Sequence, residues 1–191
     1  MERLFIAVKL PQNVKAALSS CISDVMKKTN CPMTPVKDVS MHITLAFLGD
    51  TDPREINEIK TVLTDAASKH TAFSLAVDSL GSFSSGGVPR TLLAHIGGDS
   101  EALVSLQKDV AYALDELGLD YDRKAFKPHI TIARIRNGAT PLQITKLKQV
   151  YKEAVLPDTG TFDVKGFTLF KSDLTYAGPV YTPRAEFTLS D

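Results

Sequence analysis

Two copies of a short histidine–threonine pattern are the part of this sequence best suited to chemistry. His-Ile-Thr occurs at 42–44 and again at 129–131. Along a β-strand, residues i and i+2 project from the same face, so His42 points with Thr44 and His129 points with Thr131. Each strand therefore presents one imidazole and one hydroxyl on the same side.

These side chains fit the transfer of a phosphoryl group. Two imidazoles that titrate near neutrality can serve as general base and general acid in one in-line displacement. Two threonine hydroxyls can donate hydrogen bonds to the non-bridging oxygens of a phosphate between them. If the two strands face one cleft, the sequence predicts His42 and His129 as catalytic residues and Thr44 and Thr131 as substrate-binding residues.

The predicted reaction uses no cofactor and no metal. A metal site needs three or four converging ligands, and the sequence shows no such spacing. It contains neither a Walker nor a Rossmann glycine motif. The expected substrate is therefore a phosphodiester or a cyclic phosphate held by side chains alone.

The other two histidines are interpreted as structural. His70 falls at the end of the second predicted helix, where a cation interacts favourably with the helix dipole. His95 falls in the strand that repeats the opening strand, at the place of Val8. A single His-x-Thr would carry little weight, whereas two copies at equivalent positions favour a shared function.

The sequence predicts the order strand, helix, strand, helix, strand, and this order occurs twice. Arg3 and Arg90 are 87 positions apart, as are the two motif histidines, and Phe73 matches Phe162 at a distance of 89. Such agreement over several elements indicates an internal duplication. The predicted fold is α+β, with two pseudo-twofold lobes, each an antiparallel sheet with flanking helices, around a central cleft. We expect residues 1–191 to form one domain of two repeats, about 1–89 and 90–191.

Composition narrows the partners and the location. The 191 residues carry 22 basic and 22 acidic side chains, so a protein that grips long nucleic acid is not expected. No run approaches the roughly 20 apolar residues of a membrane span, and the N-terminus lacks the pattern of a signal peptide. Cys21 and Cys31 are too few for a disulfide framework. We expect a cytoplasmic monomer with no membrane partner.

Basic residues concentrate around the second motif. Five of them and no acidic residue occur between Arg123 and Arg136. One interpretation is a solvated rim; the other is a positive collar that draws the anionic substrate towards the cleft. In a strand predicted over Phe126–Ile135, Lys127 shares the parity of His129, so it is predicted to face the phosphate.

This charge pattern also suggests how the histidines divide their roles. Nearby like charge disfavours protonation of an imidazole. His129, beside the basic run, is then expected to lose its proton more easily and to act as the base. His42 would act as the acid. Two aromatic residues near the motifs, Phe47 with core parity and Tyr121, are not predicted to stack a nucleobase.

The stretches His42–Gly49 and Phe126–Arg134 resemble the paired motifs of the 2H phosphoesterases. The resemblance is greatest to the RNA 2′,3′-cyclic phosphodiesterase branch, also called 2′-5′ RNA ligase or LigT-like, and it covers nearly the whole chain. It implies two lobes around a cleft. It also implies hydrolysis of a 2′,3′-cyclic phosphate RNA end to a 2′-phosphate, with 2′-5′ ligation as a reverse-type activity.

The resemblance assigns roles to single residues. It implies that His42 donates a proton to the leaving 3′ oxygen, that His129 accepts a proton from water, and that Thr44 and Thr131 hold the phosphate. Arg134 matches a family arginine near the substrate. Strict alternation points Arg134 away from His129, so it can reach the site only at a strand end or a bulge.

Two other functions are compatible with the same residues. One is a cyclic phosphodiesterase that acts on a small cyclic nucleotide. The other is a nucleotide-binding module without catalysis. Intact histidine and threonine in both motifs favour an enzyme, and turnover of a cyclic phosphate separates the three.

Overall fold

A computed structural model describes residues 1–156, 158–176 and 178–190. Its strands are β1 (Glu2–Lys9), β2 (Met33–Pro35), β3 (His42–Thr51), β4 (Phe73–Ser85), β5 (Val88–Gly98), β6 (His129–Ile135), β7 (Thr161–Val164), β8 (Gly166–Thr175) and β9 (Gly178–Thr188). Its α-helices are α1 (Gln12–Thr29), α2 (Ile56–Ser68), α3 (Ser100–Glu116) and α4 (Pro141–Glu153). Among the helices in these ranges, none is both long enough and apolar enough to cross a membrane.

The strands form one curled antiparallel sheet. Its order is β7-β4-β5-β6-β3-β1-β8-β9, with β2 also paired to β6. β3 and β6 meet in the middle through Ile43 opposite Ile130. We call β3, β1, β8 and β9 with α2 and α3 the first-motif lobe. We call β7, β4, β5, β6 and β2 with α1 and α4 the second-motif lobe. The predicted α+β fold with two lobes is confirmed.

Each lobe takes elements from both halves of the sequence. β4 belongs to the first repeat but pairs with β5 of the second, and β8 of the second repeat pairs with β1 of the first. The helices exchange in the same way, because α1 contacts α4 and β6 while α3 contacts α2 and β3. The two halves of the sequence are therefore intertwined, and neither 1–89 nor 90–191 corresponds to a lobe.

The register of the sheet corrects the alignment of the opening strands. His42 lies opposite Lys9 on β1, and His129 lies opposite His95 on β5. The counterpart of His95 is therefore Lys9, one residue beyond the predicted Val8. This shift matters because moving a strand by one residue turns every side chain to the other face.

The third predicted strand pair is also misaligned. Phe162 lies in β7, which pairs with β4 itself and places Phe162 opposite Leu75. β4 flanks β5 as β8 flanks β1, so the counterpart of β4 is β8. The match of Phe73 with Phe162 is therefore wrong.

Capping side chains fix where two helices begin. Asp52 and Glu55 form a reciprocal capping box at the short 3₁₀ turn that leads into α2. Thr140 and Gln143 do the same at the start of α4. These caps follow directly on β3 and follow closely on β6, so they help to set where the chain leaves each motif strand.

The two faces of the sheet differ in what covers them. Ile43 and Ile130, which join the lobes, are fully buried in the main core under the helices. Each such side chain contributes about 1.5–3 kcal/mol relative to exposure. The opposite face of β1 carries Phe5 and Ala7, which form a smaller cluster with Phe170. This second face is the floor of a cleft between the lobes.

Candidate active site

The cleft between the lobes brings both motifs together. His42, Thr44, His129 and Thr131 all line one cavity of about 370 Å³. This is the convergence that a pseudo-twofold relation of two His-x-Thr strands predicts. Because the motif isoleucines are turned into the core, each strand leaves its histidine and threonine to the cleft.

Each motif histidine is held by a backbone carbonyl two residues earlier. Nδ1 of His42 lies 2.8 Å from the carbonyl oxygen of Ser40, and Nδ1 of His129 lies 2.7 Å from that of Lys127. A carbonyl only accepts, so Nδ1 of each ring carries the hydrogen and donates it. Nε2 of each ring is then the nitrogen that can take up or release a proton.

Matching bulges reshape the far end of both motif strands. Leu45 on β3 and Ile132 on β6 are each the extra residue where the register with the neighbouring strand shifts. Beyond each bulge the alternation is inverted, so Phe47 and Arg134 both line the cleft. By strict alternation Arg134 would point away from the cleft. The bulge at Ile132 turns it into the cleft, as the sequence required. The core parity predicted for Phe47 is wrong for the same reason.

Lys127 is placed differently from its prediction. β6 begins at His129, so residues 126–128 lie outside the strand and alternation does not orient the Lys127 side chain. That side chain is exposed and is not among the residues that line the cleft. Lys127 contributes its carbonyl to His129, and a contact of its amino group with substrate stays a prediction.

Carboxylates neutralise part of the basic run. Arg123 forms an ion pair with Asp115 at 2.6 Å, and Lys124 forms one with Asp122 at 3.0 Å. Asp122 directly precedes the run in sequence, and the fold brings Asp115 to it from α3. The expected collar of five free cations is therefore reduced, and Arg134 is the member of the run that lines the cleft.

Burial dominates the protonation of His42. The pKa of His42 is lowered from 6.5 to about 4, chiefly because the ring is removed from water and to a smaller extent by the nearby His129 and Lys15. The hydrogen bond to Ser40 acts in the opposite direction and is the smaller effect.

The pKa of His129 is also lowered, first by burial and then by the nearby His95, against the hydrogen bond to Lys127. The pKa of His42 is the more strongly lowered of the two. The expectation that His129 loses its proton more easily in the free protein is therefore wrong. The lowering comes from burial and from the histidines themselves, with Lys15 of α1 adding to the shift of His42, and not from the basic side chains of the run.

Aromatic rings enclose His42. The ring of Phe5 lies 4.9 Å from the His42 ring, and the ring of Tyr181 from β9 lies 5.5 Å away in an edge-on arrangement. Phe5 and Tyr181 are themselves 4.8 Å apart and both line the cleft. Neither was found from the sequence, although Phe5 shares the parity of Ala7 and so lies opposite the core positions of β1.

The surroundings of His129 are more open. The edge-on ring of Phe83 from β4 lies 4.8 Å from it, and Phe83 is 38% exposed. His95 lies directly opposite His129 across β5 and β6 and is exposed. The structural role predicted for His95 followed from equating it with the buried Val8, and that equation is wrong.

The remaining candidates lie elsewhere. Nε2 of His70 is 2.7 Å from Asp109 of α3, which ties α2 to α3 and fits the predicted structural role. Tyr121 stacks with Arg123 at 4.6 Å and does not line the cleft. Among the described residues, no cluster of three or more histidine, cysteine, aspartate or glutamate side chains could hold a metal ion.

Paired histidines with free Nε2 atoms, flanking threonines and an arginine in one cleft define a two-histidine phosphoesterase. The chain belongs to the 2′-5′ RNA ligase superfamily, whose family model matches residues 16–175. It is an enzyme of the phosphodiesterase class.

Three curated relatives share the name RNA 2′,3′-cyclic phosphodiesterase. An RNA 2′,3′-cyclic phosphodiesterase of Geobacillus stearothermophilus is 35% identical over 97% of this chain, which spans only 56% of that relative. One from Thermus thermophilus is 32% identical over 98% of this chain and 90% of its own length. One from Thermotoga maritima is 30% identical over 94% and 91%.

Solved structures share the fold. A crystal structure of the Thermus thermophilus protein TT0787 superposes with a TM-score of 0.79 at 29% identity, covering 98% of this chain and 97% of the other. Escherichia coli LigT complexed with 3′-AMP has a TM-score of 0.75 at 22% identity, covering 100% and 99%.

Proposed function

We propose that this enzyme hydrolyses RNA ends that carry a 2′,3′-cyclic phosphate and leaves a 2′-phosphate. The observation that carries the proposal is the meeting of His42, Thr44, His129 and Thr131 in one cleft. The relatives named RNA 2′,3′-cyclic phosphodiesterase support this substrate class. The LigT structure with 3′-AMP supports a nucleotide that carries a phosphate on its ribose.

The proposed reaction is one in-line displacement at phosphorus. Nε2 of His129 accepts a proton from water, and the water oxygen attacks the phosphorus. The bond from phosphorus to the 3′ oxygen breaks, and Nε2 of His42 gives that oxygen its proton. The hydroxyls of Thr44 and Thr131 donate to the non-bridging oxygens, and the charge of Arg134 offsets the negative charge on the phosphate.

Substrate itself supplies the condition for His42 to act as acid. In the free protein the pKa of His42 is lowered to about 4 because the ring is removed from water. A phosphate anion in the cleft favours the charged imidazole, and this attraction is strongest where the dielectric is low. His42 therefore gains its proton as the anion binds, while His129, on the open side, stays neutral to accept the proton of water.

The proposal extends to the rest of the chain. Residues 1–191 form one domain of two repeats and act as a monomer in the cytoplasm, where the buried free thiols of Cys21 and Cys31 stay reduced. The reaction proceeds without a metal. We include 2′-5′ ligation as the same displacement with a ribose 5′-hydroxyl in place of water.

The deciding experiment offers RNA with a 2′,3′-cyclic phosphate end to wild type, His42→Ala and His129→Ala in the presence of EDTA. We expect wild type to form the 2′-phosphate and each variant to lose activity by about 10²–10⁴-fold, the usual contribution of a positioned acid or base. Tyr112→Ala, at an exposed position on α3, is the matched control.

Four results would contradict the proposal. Full activity of both histidine variants would exclude the mechanism, and loss of wild-type activity in EDTA would indicate a metal. Binding without turnover would favour the nucleotide-binding module. A strong preference of wild type for a mononucleotide 2′,3′-cyclic phosphate over RNA would point to the small cyclic nucleotide.

A further inference from the structure

His95 extends the active face of the sheet beyond His129. Residues directly opposite one another on antiparallel strands project from the same face, with Cβ atoms about 4.5–5.5 Å apart. His95 and His129 form such a pair. His95 is exposed, and within the described residues its imidazole has neither a hydrogen bond nor an ion pair. A free imidazole thus stands beside the catalytic one.

The neighbouring strand is shaped around this imidazole. Gly81 of β4 lies next to His95, and a Cβ atom at Gly81 would collide with Nε2 of His95. The glycine therefore lets the ring rest against the backbone of β4. Two residues further along β4, on the same face, Phe83 places its ring edge-on against His129 at 4.8 Å.

In the described part of the first-motif lobe, the corresponding side chains are paired or buried. There the counterpart of His95 is Lys9, whose amino group is paired with Glu186 at 2.5 Å. The counterpart of Phe83 is Phe170, which is buried and stacked on Phe5. The His129 side of the cleft therefore carries an imidazole without a hydrogen-bond partner among the described residues, that of His95, beside the exposed ring of Phe83.

This side is where a nucleophile arrives. The inference rests on the proposed function, in which His129 activates the attacking oxygen and His42 protonates the leaving 3′ oxygen. The attacking and leaving oxygens lie on opposite sides of phosphorus in an in-line displacement. The cyclic nucleotide is therefore attached on the His42 side, and the attacking molecule approaches past His129.

We propose that Phe83 and His95 form a subsite for the nucleotide whose 5′-hydroxyl replaces water in 2′-5′ ligation. The first base of this acceptor stacks on Phe83, as bases do on exposed aromatic rings. Its first phosphodiester accepts a hydrogen bond from the imidazole of His95. The subsite thus binds an RNA that begins with a 5′-hydroxyl.

The step balances without any further reactant. Nε2 of His129 takes the proton of the 5′-hydroxyl, and its oxygen bonds to phosphorus. The bond from phosphorus to the 3′ oxygen breaks, and that oxygen takes the proton of His42. The product is a 2′-5′ phosphodiester with a free 3′-hydroxyl, and no electrons are exchanged.

The test measures how one cyclic-phosphate RNA divides between two products. Wild type and variants receive this RNA with either adenosine or the dinucleotide ApA as acceptor, and the ratio of 2′-5′ joined product to 2′-phosphate is measured. We expect the wild-type ratio to be about ten-fold higher with ApA, because one added charge-assisted hydrogen bond contributes at least this factor. His95→Ala should abolish the preference for ApA, and Phe83→Ala should lower the ratio for both acceptors.

Two further variants separate a contact from a structural effect. Gly81→Ala displaces the His95 imidazole without removing it, so it should also abolish the preference for ApA. Lys9→Ala changes the counterpart of His95 in the other lobe and should leave the ratio as in wild type.

The failures are distinct. Hydrolysis by wild type with no joined product would overturn the acceptor subsite, as would a His95→Ala variant that keeps the preference for ApA. If wild type hydrolyses no cyclic phosphate at all, the proposed function itself is wrong.

Discussion

The two motif histidines are each followed by isoleucine and threonine but have different surroundings. His42 is enclosed by the rings of Phe5 and Tyr181, and its pKa is lowered to about 4. His129 has one ring at its edge, that of Phe83, and an exposed histidine opposite. The local hydrogen bonds are nearly identical, with Nδ1 bound to a carbonyl in both. The difference comes from the flanking strands and not from the motif.

This difference shows that a duplicated motif does not fix the direction of a reaction. In the free protein burial lowers the pKa of both histidines, and it lowers that of His42 strongly. Read alone, the shift would make His42 the easier base. The proposed direction instead depends on the phosphate anion, which returns a proton to the more buried ring. In the proposed reaction, the His42 side holds the bound nucleoside and the His129 side admits the incoming nucleophile.

The largest expected effect separates the roles of the two histidines. Replacing either one by asparagine should lower kcat by about 10²–10⁴-fold. His129→Asn should also remove the fall of kcat at low pH, because the base is then absent. His42→Asn should remove the fall at high pH. The measurement is kcat on cyclic-phosphate RNA from pH 4 to 9. If His129→Asn removes the fall at high pH and His42→Asn removes the fall at low pH, the roles of acid and base are reversed.

The next effect concerns stability and depends on the burial of His42. Its pKa is about 4 in the folded protein and 6.5 as the ordinary value, so between these pH values the unfolded chain binds more protons. The contribution to stability is complete above pH 6.5 and is lost as pH falls towards 4. The free energy of unfolding falls by about 3 kcal/mol, since a pKa difference of one corresponds to about 1.36 kcal/mol.

Urea unfolding of wild type and His42→Asn at pH 4 to 7 measures this contribution. The difference between their free energies of unfolding should change by about 3 kcal/mol over the range, because other groups titrate alike in both proteins. His129→Asn provides the comparison across the cleft. A constant difference between wild type and His42→Asn would show that His42 is not held neutral by burial.

The smallest effect compares the residues that the two bulges turn into the cleft. Arg134→Leu removes a cation from the phosphate, so KM should rise about ten-fold and depend less on salt. Phe47→Leu removes an aromatic ring, so KM should rise about three-fold with its salt dependence intact. Steady-state kinetics at 50 and 500 mM salt tests both, and equal salt responses would contradict the distinction.

Much of the site follows from the sequence because its pattern is local. Alternation places His42 with Thr44 and His129 with Thr131, and all four line the cleft. The repeat of elements predicts two lobes, and the family resemblance agrees with the superfamily that matches residues 16–175.

The errors have a common physical origin in pairing between strands. The sequence matches His95 with Val8 instead of Lys9, because strand register is set by the partner strand, and one residue of slip inverts every side chain. Phe47 was assigned to the core because a bulge appears only when two strands are compared. The ion pair of Arg123 with Asp115 joins residues that no strand pattern connects.

From the sequence alone, the reacting groups and the internal repeat are predictions and the class of enzyme is indicated, since each rests on residue types at short, regular spacing. Only the tertiary structure decided that the two halves of the sequence are intertwined, so that β4 lies against β5 and β8 lies against β1. It also decided that one histidine is enclosed and the other open. The reason is that burial and charge at a site depend on every element packed around it, and those elements come from both halves of the chain.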